Sequence, residues 1–395
     1  MTQDATAYLN EALDYIQENS VKSARIDWPV LRQEVFALAA QVQTLEGTYP
    51  AIKRALELLG DHHSRFYDPQ AAQRLEEGQA KQFGLRITWP EGIVGIVYPG
   101  SPAEHAGVQV GDQVETINDQ PMAQLLIGQL RTLFVLNDAS HDLALTMKPA
   151  GKLPIRSVRL RAAVYTTARE PQGKRLEQAI GYLDLPGLTG SPQQARAYAQ
   201  TVQRLVREID QAPLCKWVVD LRRNTGGNMW PMVAGVGPIL GEGEWVVFVD
   251  HLEKQAAFYR NGQAGISPDH VLADVDEPYK LQCPEPLVAV LTSQLTASSG
   301  EFTALAFRGL PRARSFGEPT QGVPTANARQ NLSDGAFILL TTALGADRTG
   351  RTYDSPLLPD YSCTINWTQL GTTDDHAFQA AIQWLMAEDT TRAGW

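Results

Sequence analysis

The sequence predicts a multidomain α/β protein: a helical N-terminal segment, a strand-rich middle unit, and an α/β core built on a mixed sheet. Three observations predict it. The chain has 395 residues, too many for one ordinary hydrophobic core, so two or three domains are expected. Apolar residues recur at helical spacing near the N-terminus, and short apolar runs between turn signals follow them. In the second half, apolar strands alternate with amphipathic helices, the pattern of a sheet covered by helices.

Residues 1–80 form the helical segment. Ala5, Leu9, Leu13 and Ile16 share one face, and "LRQEVFALAAQVQ" and "YPAIKRALELLG" repeat the spacing. The segment closes on the loop "LLGDHHSRFYDP", punctuated by Gly60 and Pro69. Residues 81–162 read as short strands: "FGLRITW", "GIVGIVYPGSPAEHAGVQVGDQVETINDQPM" and "HDLALTMKP". Residues 163–395 form the core. "AIGYLDLPGL" is a strand, and "SPQQARAYAQTVQRLVREIDQ" is a helix opened by Ser-Pro. "KWVVDL" is a strand with a wholly apolar centre running into "RRNTGGNM". Then come "EWVVFVD", "PLVAVLTS", the helix "EFTALAFRGL" and the strand "GAFILLTTAL". The last helix, "DDHAFQAAIQWLMAE", is expected to pack back on this core.

Composition narrows the function. Hydrophobic residues make up 43% and charged residues 20%, as in ordinary globular proteins. The net charge of −10 argues against nucleic acid and anionic membrane surfaces, which select basic patches. Membrane insertion is not expected, because no apolar run approaches the roughly 18 residues of a spanning helix. The start, "MTQDATAYLNEALDYIQ", lacks the basic and apolar regions of a signal peptide. The expected location is cytoplasmic for the sequence as it stands, and periplasmic or extracellular if an export signal has been removed. Cys215, Cys283 and Cys363 are far apart and form no C-x-x-C pair, so the expectation is three buried thiols rather than a disulfide framework. The histidines show no ligand spacing, and neither metal nor other cofactor is implied.

Two stretches carry the chemistry. In "LTSQLTASSGEF", Leu291–Phe302, a buried strand turns into a helix at a pair of serines. Serines there can cap the helix, or one can stand exposed at the positive end of the helix dipole as a nucleophile. In "VVDLRRNTGGNM", Val218–Met229, a glycine pair follows the carboxyl end of a strand, where ligands bind in open α/β sheets. It is either an ordinary turn or backbone that lets N–H groups approach an oxyanion.

The middle unit, with Phe83-Gly84-Leu85 followed by "GSPAEHAGVQVGDQVETINDQPM", resembles a circularly permuted PDZ domain of bacterial proteases. The resemblance makes Phe83, Gly84 and Leu85 the peptide-binding loop, which would take an extended peptide as an added strand and cradle its carboxylate. "DLRRNTGG", "SQLTASSGE" and "GEPTQGVPT", in that order, resemble the C-terminal-processing (tail-specific) serine peptidases and their tricorn-core relatives. This resemblance spans nearly the whole chain and implies a crotonase-like core. It makes Ser298 the nucleophile, three residues before Glu301. It also puts the N–H of Ser299 in the oxyanion hole beside Gly226 or Gly227.

Tail-specific members take their base from a lysine, but Val323 occupies that position and no lysine follows Lys280. Tricorn-like members use a histidine in the loop before the PDZ domain, which here is His63, with His62 beside it. A triad also needs an acid to hold the imidazole. Asp354 in "GRTYDSPLLPDY" is the nearest, although counting back from Pro359 puts the family's glutamate at Tyr353. Glu318 and Asp61 are the substitutes.

The expected function is therefore a serine endopeptidase that cleaves unfolded or C-terminally exposed polypeptides through an acyl-enzyme. Its partners would be polypeptides, in part through free C-termini. Two alternatives stay open: a binding protein on the same fold that has lost catalytic geometry, and an esterase or amidase for small substrates.

Overall fold

Two adjacent, wholly buried strands set the position of everything functional. The computed structural model describes residues 1–126, 128–130, 142–151, 154–211, 214–267 and 269–392. Within it, Lys216–Asp220 and Leu287–Thr292 are buried at every residue and pair in parallel, Asp220 opposite Leu291. Burial on both faces explains why these strands read as unbroken apolar runs rather than alternating ones.

They are central in a six-stranded sheet. Its order is Tyr361–Ser362, Ala313–Gly317, Leu287–Thr292, Lys216–Asp220, Ile180–Asp184, Gln172–Leu176. All neighbours are parallel except the edge strand Gln172–Leu176, so the sheet is mixed, as expected. Side chains alternate across it. Trp217, Val219, Val288 and Val290 face a core shared with helices Pro192–Ile209, Met229–Leu240 and Ser299–Phe307. Val218, Ala289, Leu291 and Phe316 face the last helix, His376–Arg392, which packs where the sequence places it. Met229–Leu240 escapes sequence reading because it is apolar all round and contains Pro238. Buried in this way, it has no polar face to set a helical period.

A second, antiparallel sheet runs Arg65–Tyr67, Phe337–Asp347, Gly243–Val249, Lys254–Arg260, Gln263–Ile266, His270–Ala273, with Thr325–Asn331 also on Phe337–Asp347. The N-terminal helices Gln3–Asn19, Trp28–Leu38 and Tyr49–Leu59 pack against it, sharing one cluster with Leu332, Ala336, Ile338 and Leu340. Arg65–Tyr67 pairs with Phe337–Leu339 and so ties the "GDHHSRF" loop to the core. The middle unit has its own cluster, from Phe83 to Leu160, around a two-stranded and a four-stranded sheet.

One expectation is overturned. Cys215 and Cys283, 68 residues apart, are joined in a disulfide with Cα atoms 5.4 Å apart, and only Cys363 is a free thiol. Cys215 immediately precedes one central strand and Cys283 shortly precedes its neighbour, with Leu287 N–H donating to Cys215 O at 2.7 Å. Parallel pairing brings the two together, and no local spacing in the sequence records it. Closing a loop of that length stabilises a fold by roughly 2–4 kcal/mol. A reductant, or the double change Cys215→Ala/Cys283→Ala, is therefore expected to lower the thermal unfolding midpoint. An unchanged melting curve would show that the bridge contributes nothing.

Candidate active site

Because the two central strands are parallel neighbours, the loops leaving their carboxyl ends lie side by side. Ser293 Oγ donates to Arg222 O at 2.6 Å, Thr296 Oγ1 to Leu221 O at 2.8 Å, and Ala297 N–H to Asn224 O at 3.0 Å. The serine corner is thus fastened along the glycine loop. Asn224, fully buried, holds that loop: its Nδ2 donates to Leu185 O and its Oδ1 accepts Gly226 N–H at 3.0 Å.

Ser298 has φ 50° and ψ −115°, a conformation that non-glycine residues rarely adopt and that costs strain. It is the one residue between Leu295 and Phe307 that is not buried. Helix Ser299–Phe307 starts immediately after it, so its side chain stands at the helix N-terminus. Gly226 and Gly227 have φ of +95° and +113°. A Cβ on Gly226 would sit 2.9 Å from Ser298 Cβ, and one on Gly227 would sit 1.9 Å from Leu188 O. Only glycine fits at either place.

The donors differ in availability. The Gly226 N–H is taken by Asn224, whereas Gly226 O accepts Leu188 N–H at 3.0 Å. In a trans peptide the carbonyl and the next N–H point oppositely, so the Gly227 N–H points away from Leu188. The Ser299 hydroxyl donates to Gly227 O at 2.5 Å, and the Ser299 N–H belongs to the first turn of the helix. Such N–H groups have no intrahelical acceptor.

Glu301 anchors the corner. Fully buried, it accepts Ser298 N–H (2.8 Å) and Val323 N–H (2.9 Å) on one oxygen, and Thr320 Oγ1 (2.5 Å) and Gly322 N–H (2.8 Å) on the other. Burial pushes its carboxyl up to about 6, against the opposing pull of these four donors. Because the folded value lies above the ordinary 4.5, the carboxyl favours folding fully below the unfolded value. That contribution is lost as pH rises through about 6. Protonation nonetheless puts a hydroxyl where an acceptor is needed. Activity is therefore expected to fall as pH drops through about 6 while the protein stays folded by circular dichroism. Glu301→Gln turns an NH2 group toward one pair of donors whichever way the amide points. It should cost about 2 kcal/mol or more, read as a lower midpoint of thermal inactivation; an unaltered midpoint would contradict the anchoring role.

His63 reaches the same cleft from the N-terminal segment. Its backbone N–H donates to Asp61 Oδ1 at 2.9 Å, and its Nδ1 meets Thr325 Oγ1 at 2.7 Å. The cleft, about 1330 Å³, is lined by His62, His63, Thr325, Val323, Gly226, Gly227, Ser298 and Ser299 among others. Among the described residues, its wall carries no lysine. His62 is exposed, in a left-handed conformation of φ 56°.

The carboxylate expected beside the histidine is engaged elsewhere. Asp354, at the rim, pairs with Lys22 Nζ at 3.2 Å and Arg25 Nη1 at 3.4 Å, and Lys22 above all holds its carboxyl below the usual range. Tyr353 donates to Asp347 at 2.7 Å, Asp61 caps the loop through His63 and Ser64, and Glu318 accepts Ile365 N–H at 2.9 Å. The residue at His63 Nδ1 is Thr325, which the sequence reading passed over although it closes the quoted "GEPTQGVPT". Phe83 and Leu85 are buried in the middle unit's core, and Gly84 O accepts Tyr98 N–H. Neighbouring Gln82, Arg86 and Ile87 line the cleft instead.

Fold and motif order together resemble those of serine-type peptidases. Residues 179–363 match peptidase family S41, and residues 93–133 match the PDZ domain. Nearly half of the chain is thus similar to family S41, and the middle unit to a PDZ domain. It is 30% identical over 208 residues to the nisin-resistance protein of Lactococcus lactis subsp. lactis, covering 52% of this chain and 60% of that one. It is 26% identical over 388 residues to the carboxyl-terminal-processing protease of Picosynechococcus sp., covering 92% and 84%. It thus spans about three fifths of the first relative and most of the second. The photosystem II D1 C-terminal processing protease shares the fold, with a TM-score of 0.62, 22% identity, and 92% and 94% of the two chains covered.

Proposed function

We propose that this chain is a serine endopeptidase that hydrolyses unfolded or C-terminally exposed polypeptides through an acyl-enzyme. The observation that carries the reading is the strained, accessible Ser298 at a helix N-terminus, in one cleft with His63 and, among the described residues, no lysine. Ser298 Oγ attacks the scissile carbonyl carbon while His63 Nε2 takes its proton. Thr325 fills the place proposed from sequence for Asp354, accepting the Nδ1 proton and so fixing the tautomer in which Nε2 is the base. The oxyanion forms opposite the N–H groups of Gly227 and Ser299, since the Gly226 N–H already donates its hydrogen bond to Asn224. Collapse expels the amine, which takes the proton from the imidazolium. Water, deprotonated by the same histidine, then frees Ser298.

Phe83, Gly84 and Leu85 are proposed to present backbone groups to a substrate tail, their neighbours opening onto the cleft. We read the division into units at 80 and 162, and the core as crotonase-like. The disulfide supports export to an oxidising compartment over a cytoplasmic location. No helix among the described residues is long and apolar enough to cross a membrane. The test is incubation of the purified protein with casein and with a short chromogenic ester, followed by mass spectrometry. Internal cleavage of casein supports the reading. Ester turnover with intact casein would favour the esterase alternative, and inertness toward both would favour a binding protein.

A further inference from the structure

We propose that the wall of the cleft beside the glycine loop is a carboxylate-binding subsite, formed by Arg169 and Arg223, for an anionic group of a bound peptide. The inference rests on the peptidase reading for the identity of the ligand. Both arginines line the cleft that holds Ser298. Their Nη2 atoms converge on a single oxygen, Asp184 Oδ2, at 3.3 and 2.8 Å. Two guanidinium groups share one buried carboxylate there, so most of their donors are left for other acceptors. Among the described residues, Arg169 Nη1 is moreover buried with no hydrogen-bond partner, and an unsatisfied charged donor is costly.

The contrast with Arg222 is instructive. One residue away, its Nε, Nη1 and Nη2 are all taken by Asp220 and Asp375, and its side chain is sealed from the cleft. Arg222 is a structural cation with its donors spent. Arg169 and Arg223 are half-buried, share one acceptor and keep donors to spare.

Their placement suits a substrate. Arg223 immediately precedes Asn224 on the glycine loop. Asp184 leads into Gly187, whose Cβ would fall 2.6 Å from Gly226 O, and into Leu188, which bridges to Gly227. The two arginines thus share one cleft with Ser298, where a bound peptide would lie. Among the described residues, the remaining charged lining residues are Arg65, Arg86, Asp250 and Asp354, and Asp354 is already held by Lys22 and Arg25. A protein of net charge −10 thus carries a cationic cleft. Such a wall draws in an anion, and the arginine fork offers paired N–H donors that match the two acceptor oxygens of a carboxylate.

The carboxylate can come from an acidic side chain or from the end of the chain, and three fluorescein-labelled peptides separate these sources. One has a glutamate and an amidated C-terminus, one is neutral with a free C-terminus, and one is neutral and amidated. Binding is measured by anisotropy on Ser298→Ala protein, so the result does not depend on hydrolysis. At least one carboxylate peptide should bind roughly 10-fold or more tightly than the neutral amide. That gap should close in Ser298→Ala/Arg169→Gln. If Arg169→Gln melts below the assay temperature, Ser298→Ala/Arg223→Gln carries the same test. Equal binding of all three peptides overturns the proposal, as does a gap that survives the arginine change. A free-C-terminus gap surviving in this way would place carboxylate recognition in the PDZ domain. Casein cleavage by the unmutated protein reports separately on the peptidase reading.

Discussion

Ser298→Ala is expected to abolish labelling by a fluorophosphonate probe and to lower casein turnover by on the order of 10⁴-fold or more, as removal of a serine nucleophile does. The expectation follows from position. Ser298 is the only accessible residue on an otherwise buried strand-to-helix corner, held at φ 50° by the Glu301 bond to its N–H. Ser299 makes the discriminating control. Its hydroxyl already donates to Gly227 O, so Ser299→Ala loses one loop contact and keeps the backbone N–H proposed for the oxyanion hole. A loss of about tenfold or less is expected there. Probe attached to Ser299, or undiminished hydrolysis by Ser298→Ala, would overturn the assignment.

His63→Ala should cost on the order of 10³-fold or more in kcat, leaving the catalysis that an oxyanion hole supplies without a base. Its partner sets a second, graded expectation. Thr325 Oγ1 is 2.7 Å from His63 Nδ1, and a hydroxyl steadies an imidazolium less than a carboxylate would. Thr325→Val is accordingly expected to lower kcat by about tenfold, without the collapse that follows loss of a triad acid. Asp354→Asn should change turnover by less than about threefold, because that carboxylate faces Lys22 and Arg25. Kinetics of these three variants and of His62→Ala on one fluorogenic peptide decide the matter. If Asp354→Asn is as damaged as His63→Ala, the third residue is Asp354 after all. If His63→Ala stays active while His62→Ala is dead, the base lies one residue earlier.

By itself the sequence determined what is local. The apolar runs around Val218 and Val290, the glycine pair after "DLRRNT" and the double serine after "PLVAV" each announce an element or a corner, because strand burial, turn chemistry and helix starts depend on neighbours in the chain. Several spaced motifs in order then carried the family. What tertiary structure alone decided are relations between residues far apart in sequence. Strand pairing, not spacing, joins Cys215 to Cys283. The Arg65–Tyr67 strand, added to the edge of a sheet more than two hundred residues later in the chain, brings His63 to Ser298's cleft and Thr325 to His63. Competition among acceptors, invisible in a string of letters, spends Gly226 on Asn224 and Asp354 on Lys22, and leaves Arg169 with a donor to offer. A residue type states which bonds a side chain can make, but only its surroundings in the fold settle which of them it has already made.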